Sequence, residues 1–166
     1  QQQQQQQQPQ PQQQHRELAE GAARYAAQTG DAYDELIAEG VRYASKDDWR
    51  RAARACREAI ALRPDEPETY YNLGSALANS GYVVEAAQRF LEAKERYPVG
   101  SEVWATATAS AFISLTQKVC AEVAKPEWWN DEGLKALSAR VVRAAPDDVR
   151  ANRMRAMVLS WQGSCA

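Results

Sequence analysis

The chain has 166 residues, of which 45% are hydrophobic and 25% charged, and 22 acidic against 20 basic side chains give a formal net charge of −2. This composition is typical of about one globular domain and excludes collagen-like and wholly disordered chains, and the acidic balance argues against a dedicated nucleic-acid binder. The single histidine, His15, excludes a histidine-based metal or catalytic cluster.

The N-terminus is a low-complexity tract. Twelve of the first 14 residues are Gln and the other two are Pro. Such a tract buries too little apolar surface to offset its ordering entropy, so residues 1–14 are predicted to be disordered or at most marginally helical.

Residues 67–98 have the pattern of a helical hairpin. Tyr70, Leu73, Gly74 and Leu77 follow the i, i+3, i+4, i+7 spacing of an amphipathic helix over residues 67–79. The sequence Asn-Ser-Gly at 79–81 ends that helix, and a second helix over 83–96 ends before Pro at 98. Strand-like alternation is not sustained anywhere in the chain.

The hairpin repeats an earlier segment with a period of 34 residues. The shared positions keep their size class, apart from Cys56 against Phe90. Because two amphipathic helices cannot bury their apolar faces alone, such hairpins are expected to stack. The pairs that carry the repeat are Gly40 and Gly74, Tyr43 and Leu77, Ala52 and Ala86, Cys56 and Phe90, Ala59 and Ala93, and Pro64 and Pro98.

These residues resemble the tetratricopeptide repeat family. The spacing Tyr70-x-x-Leu73-Gly74-x-x-Leu77, followed by Ala86-x-x-x-Phe90-x-x-Ala93 and Pro98, looks like the full 34-residue pattern. The resemblance implies an all-α, right-handed solenoid of about eight helices stacked in antiparallel pairs. It divides the domain, 15–166, into a capping half-repeat (15–29), repeat 1 (33–64), repeat 2 (67–98), an elongated repeat 3 (101–146) and a terminal helix (148–161).

The third unit holds 14 residues more than the 34-residue period. We expect a long first helix over 101–124, then a loop containing Trp128 and Trp129, with Asn130 as the N-cap of the next helix. In the terminal helix, Met154, Met157 and Trp161 are expected to stay partly uncovered, which favours self-association or a further helix. The chain has no initiating Met, and it is expected to be one part of a longer protein.

The resemblance implies a concave groove lined by the first helix of each repeat. Its side chains would be small, apolar or amide, with one acid per repeat at the rim, which suits an extended or helical peptide with small apolar anchors and a basic residue. The cationic clamp that binds chaperone tails in one subfamily is absent. The candidate partner-binding residues are Asp34, Ile37, Val41, Glu68, Tyr71, Asn72, Ser75, Asn79, Glu102, Thr106 and Ala109.

The sequence therefore predicts a non-catalytic protein-interaction scaffold with no cofactor and no metal. The alternatives are a regulatory or targeting module of a larger protein, co-chaperone-like or enzyme-associated, and an RNA-binding helical repeat. The three widely spaced cysteines and the lack of a signal peptide favour a cytoplasmic or nuclear location over secretion. The longest uncharged stretch, 103–117, is too short to cross a bilayer, so no membrane partner is expected.

Overall fold

A computed structural model describes residues 11–163. Within these residues the chain forms eight α-helices and no strand, so the all-α prediction is confirmed. The helices are α1 (Pro11–Thr29), α2 (Ala32–Ala44), α3 (Trp49–Leu62), α4 (Pro67–Asn79), α5 (Val83–Arg96), α6 (Glu102–Leu115), α7 (Asp131–Ala144) and α8 (Val149–Gly163), with a 3₁₀ turn at Lys118–Cys120.

The first helix begins inside the Gln-rich tract. Gln is a good helix former and Pro is tolerated in a first helical turn. The Gln13 side-chain amide donates to the Glu17 carboxylate at 3.3 Å, one turn further on. Residues 11–14 are thus helical, the second of the two predicted alternatives, and residues 1–10 lie outside the described part of the chain.

Short polar side chains set the helix starts in the repeated segment. The Asp31 carboxylate accepts the backbone N–H of Tyr33 at 2.9 Å and caps α2. The Asp48 carboxylate accepts the N–H of Arg51 at 3.2 Å and caps α3 in the same way. These bonds satisfy N–H groups that have no partner within the helix, and they make the turn after α2 short.

The helices pack in chain order from α1 to α6. Each of these helices contacts the next one along the chain, as in a helical-repeat solenoid. The order changes at α6, which contacts both α7 and α8, while α7 and α8 also contact each other. The solenoid thus ends in a group of three mutually packed helices.

The third unit differs from its prediction. The helix α6 ends at Leu115, and the predicted helix over 101–124 is wrong beyond that residue. The Thr116 hydroxyl donates to the Ile113 carbonyl at 2.7 Å, and Gln117 adopts extended backbone, with φ −71° and ψ 145°. Cys120 is fully buried in the following 3₁₀ turn, which contacts α5, so the additional residues form a loop folded back on the stack.

The two halves of the structure have different cores. Around α3, α4 and α5 the core consists mostly of alanines with Leu73, Leu77 and Phe90. Around α6, α7 and α8 it is built from larger side chains, among them Trp104 and Phe112. No helix within residues 11–163 combines the length and the apolar character that a bilayer-spanning segment needs.

Candidate functional site

A groove of about 560 Å³ lies between α2 and α4. We call it the α2–α4 groove. Ala52 and Cys56 of α3 line it although both are buried, so the groove reaches down to the core. Its remaining lining comes from one face of α2, the turn after α2, Trp49 at the start of α3 and one face of α4, together with α1 and α8. The lining residues are His15, Leu18, Ile37, Gly40, Val41, Ala44, Ser45, Asp47, Trp49, Ala52, Cys56, Asn72, Ser75, Ala76, Asn79 and Arg150.

The groove brings together five of the predicted partner-binding residues: Ile37, Val41, Asn72, Ser75 and Asn79. The first two supply apolar surface, and the other three supply amide and hydroxyl groups that can donate and accept hydrogen bonds. The Asn79 amide already donates to the Ser75 carbonyl at 2.8 Å, whereas the side-chain amide of Asn72 forms no hydrogen bond within the described residues. Asn72 is therefore free to bind a peptide group of a partner.

Three predicted residues, Tyr71, Thr106 and Ala109, do not line the groove. The Tyr71 ring contacts Phe90 at a centroid distance of 5.4 Å and is half-buried. The Thr106 hydroxyl donates to the Glu102 carbonyl at 3.1 Å. Ala109 has no exposed surface because it belongs to the core that α6 forms with α7 and α8, so its predicted contact with a partner is wrong.

The three rim carboxylates, Asp34, Glu68 and Glu102, are not part of the groove lining. Each lies in the first turn of its helix, α2, α4 or α6. The positive end of the helix dipole stabilises a negative charge there. None of them forms an ion pair within residues 11–163. The carboxylates therefore mark one end of these helices, while the groove itself contains one acid, Asp47.

A group of tyrosines lies close to Glu68. Burial raises the pKa of Tyr97 to about 12, and the charge of Glu68 and the nearby Tyr71 and Tyr33 add to the shift. Burial also raises the pKa of Tyr33, whose hydroxyl lies 2.6 Å from the Thr69 hydroxyl in the interior. Both hydroxyls remain protonated near neutral pH, and the Tyr33–Thr69 contact joins α2 to α4.

The groove also contains residues from helices that the sequence did not assign to it, His15 and Leu18 of α1 and Arg150 of α8. Leu18 is 66% exposed, which its place in a helical pattern does not indicate. The Arg150 guanidinium lies 3.4 Å from the Asp148 carboxylate, longer than the usual 2.7–2.9 Å of a charge-assisted bond, and is about half exposed. Only the tertiary packing of α8 on α6 brings Arg150 to the groove.

Cys56 is the buried nucleophile candidate in the groove. Burial raises the pKa of its thiol to about 12, and the nearby guanidinium of Arg57 offsets this only partly. The thiolate is the reactive form of cysteine, so Cys56 behaves as a small apolar side chain near neutral pH. Among residues 11–163, no three His, Cys, Asp or Glu side chains are grouped so that they could hold a metal ion.

The loop tryptophans pack on α6. Trp129 stacks on Phe112 at a centroid distance of 5.1 Å, and Trp161 of α8 lies 5.5 Å from the same ring. Met154 is fully buried, which contradicts the expectation that it stays uncovered, whereas Trp161 is 42% exposed. The C-terminal helix thus leaves one aromatic ring partly uncovered, beside a small depression that includes Asp131 and Glu132.

Comparisons with known proteins identify no relative. No protein-family model matches the chain, and no curated protein matches it.

Proposed function

We propose that this chain is a non-catalytic protein-interaction module of tetratricopeptide type that binds a peptide or a partner helix in the α2–α4 groove. The observation that carries the proposal is the groove itself, which exposes Ile37 and Val41 opposite the unpaired amide of Asn72. Apolar anchors beside a few placed polar groups are typical of sites that bind a polypeptide segment.

The repeat supports this proposal independently of the groove. The 34-residue offsets recur on helices that pack in chain order. Solenoids of this kind leave one face of successive helices available for a ligand. We propose a cytoplasmic or nuclear location, and that the module serves as the targeting or regulatory part of a larger protein.

An RNA-binding repeat is the second candidate that the sequence raised. A groove that binds nucleic acid is expected to carry a marked excess of positively charged side chains. The α2–α4 groove contains one arginine and one histidine against one aspartate. A peptide ligand fits this balance better than a polyphosphate chain.

Selection of peptides from a random display library tests the proposal. Peptides that bind the natural chain are then measured against an Asn72→Ala, Asn79→Ala double variant and against a Gln88→Ala control, whose exposed amide lies on α5 outside the groove. We expect at least about tenfold weaker binding to the double variant, equivalent to about 1.4 kcal/mol, and no change in the control.

Equal binding to all three proteins would move the site away from the groove. Failure to select any peptide, together with steeply salt-dependent RNA retention on filters, would replace the proposal with the RNA-binding alternative.

A further inference from the structure

The two matched repeats place different side chains at one equivalent position. Phe90 of α5 corresponds to Cys56 of α3, and Gly74 of α4 corresponds to Gly40 of α2 at the same 34-residue offset. Because the helix pairs are otherwise closely matched, the second repeat shows what the first repeat would hold there if it carried an aromatic ring.

In the second repeat the position is filled. A Cβ atom added at Gly74 would lie 2.8 Å from two ring carbons of Phe90, so the ring packs directly on the glycine backbone. Tyr71 closes the other side of the ring, at a centroid distance of 5.4 Å. Phe90 is only 5% exposed as a result.

In the first repeat the position holds a smaller side chain. A Cβ atom added at Gly40 would meet Cys56 Sγ at 3.6 Å, an ordinary contact, and the residue equivalent to Tyr71 is the smaller Ile37. Cys56 is 4% exposed, and Ile37, Gly40 and Cys56 all line the α2–α4 groove. The floor of the groove therefore lies at the position where the second repeat carries an aromatic ring.

The chemistry of this space favours an aromatic ring. The protonated Cys56 thiol offers a polarizable sulfur, which makes favourable contacts with ring edges. At the mouth of the groove, Arg150 forms one ion pair within residues 11–163, with its near neighbour Asp148 at 3.4 Å, and is about half exposed, so it can bind a second carboxylate. The acidic rim residues are outside the lining, which leaves Asp47 as the one negative group there.

We propose that the α2–α4 groove takes one Phe-sized aromatic side chain from a partner polypeptide, seated against Cys56 and Gly40, with an acidic residue beside it that pairs with Arg150. The inference rests on the proposed function and specifies its ligand. It replaces the basic ligand residue expected from the rim acids, because those acids are not in the groove.

Three short peptides test the ligand chemistry on the full chain. The probe is Ac-Glu-Phe-Glu-NH2, compared with Ac-Glu-Ala-Glu-NH2 and Ac-Lys-Phe-Lys-NH2, with binding measured by chemical-shift titration of the Ile37 and Val41 methyl groups. We expect the alanine peptide to bind at least about tenfold more weakly, because it buries no ring. We expect the lysine peptide to bind about threefold more weakly, and Arg150→Gln to remove that difference.

Two variants test where the phenylalanine ring of the peptide binds. Cys56→Phe and Ile37→Tyr each install the side chain that the second repeat carries, and either one should reduce binding of the phenylalanine peptide at least about tenfold by filling the space. Leu62→Phe adds the same ring to an exposed position of α3 outside the groove and should leave binding unchanged. Thermal melting followed by circular dichroism checks that each variant is folded.

The outcomes separate this inference from the proposed function. Equal binding of the phenylalanine and alanine peptides, or full binding by both folded filling variants, overturns the aromatic site. Equal binding of a leucine peptide of the same design shows a merely apolar site and also overturns it. If display-selected peptides still depend on Asn72 in that case, the groove remains a binding site; if they do not, the proposed function fails as well.

Discussion

The two matched repeats have the same arrangement of helices but differ in the size of the side chain at one interior position. In the second repeat Phe90 fills the space over Gly74, and the pair of helices is closed. In the first repeat the smaller Cys56 lies beside Gly40 at the floor of the groove. The small residues at the helix crossings are kept in both, so the helix packing tolerates either side chain. A single size change can therefore place a core position at the floor of a groove without altering the repeat.

The largest expected effect on stability comes from removing the Phe90 ring of the second repeat. Phe90→Ala removes a buried ring and should lower the free energy of unfolding by about 3 to 5 kcal/mol. Cys56→Ala, at the equivalent position of the first repeat, removes one atom at the floor of the groove. It should lower the free energy of unfolding by about 1 kcal/mol or less. Urea unfolding of both variants measures the difference. Equal losses would mean that the two positions are packed alike and would contradict the comparison.

Alanine substitutions of Gly74 and Gly40 should change the stability of the protein in opposite directions. At Gly74 an alanine methyl would lie 2.8 Å from the Phe90 ring, and the repacking cost of about 1 to 3 kcal/mol should exceed the helix-propensity gain of about 1 kcal/mol. At Gly40 the nearest atom would be Cys56 Sγ at 3.6 Å, so Gly40→Ala should gain about 0.5 to 1 kcal/mol. Melting temperatures of the two variants check this, and a shift of both in the same direction would contradict it.

The smallest expected effect is the pH dependence of stability between pH 8 and pH 10 that Cys56 of the first repeat contributes. The pKa of Cys56 is raised from 9.0 to about 12 in the folded protein, so folding favours the neutral thiol. This stabilisation is complete below pH 9 and is lost as the pH rises toward 12. Between pH 8 and pH 10 the free energy of unfolding should fall by about 1 kcal/mol.

Cys56→Ala should remove most of that decrease, as measured by urea unfolding at the two pH values. Tyr97→Phe is the matched control, because the pKa of Tyr97 rises from 10.0 and its contribution begins near pH 10. A decrease of unchanged size in Cys56→Ala would show that the thiol is not held in a buried environment.

The sequence predicted the repeated region well because its signals are local. The stripe through Tyr70, Leu73 and Leu77 and the break at Gly81 set α4 and α5, which the structure places at Pro67–Asn79 and Val83–Arg96. The groove-facing residues Asn72 and Ser75 could be chosen for the same reason, since the face opposite a buried stripe is fixed by helix geometry.

The remaining features depend on contacts between distant parts of the chain. No glycine or proline marks the end of α6 at Leu115. The Thr116 hydroxyl donates to the Ile113 backbone carbonyl there, and the chain turns back toward α5. Ala109 lies on the predicted groove face, yet α8 covers it. Neither outcome has a periodic signal in the sequence, because each depends on where the residues of the third unit return to the stack.

The position of Arg150 couples the groove to the end of the solenoid. This side chain belongs to the first turn of α8, while the other groove residues lie between positions 15 and 79. If the proposed ligand engages the guanidinium, its binding and the opening of α8 are linked equilibria. Occupancy of the groove is then expected to slow amide hydrogen exchange across residues 149–163.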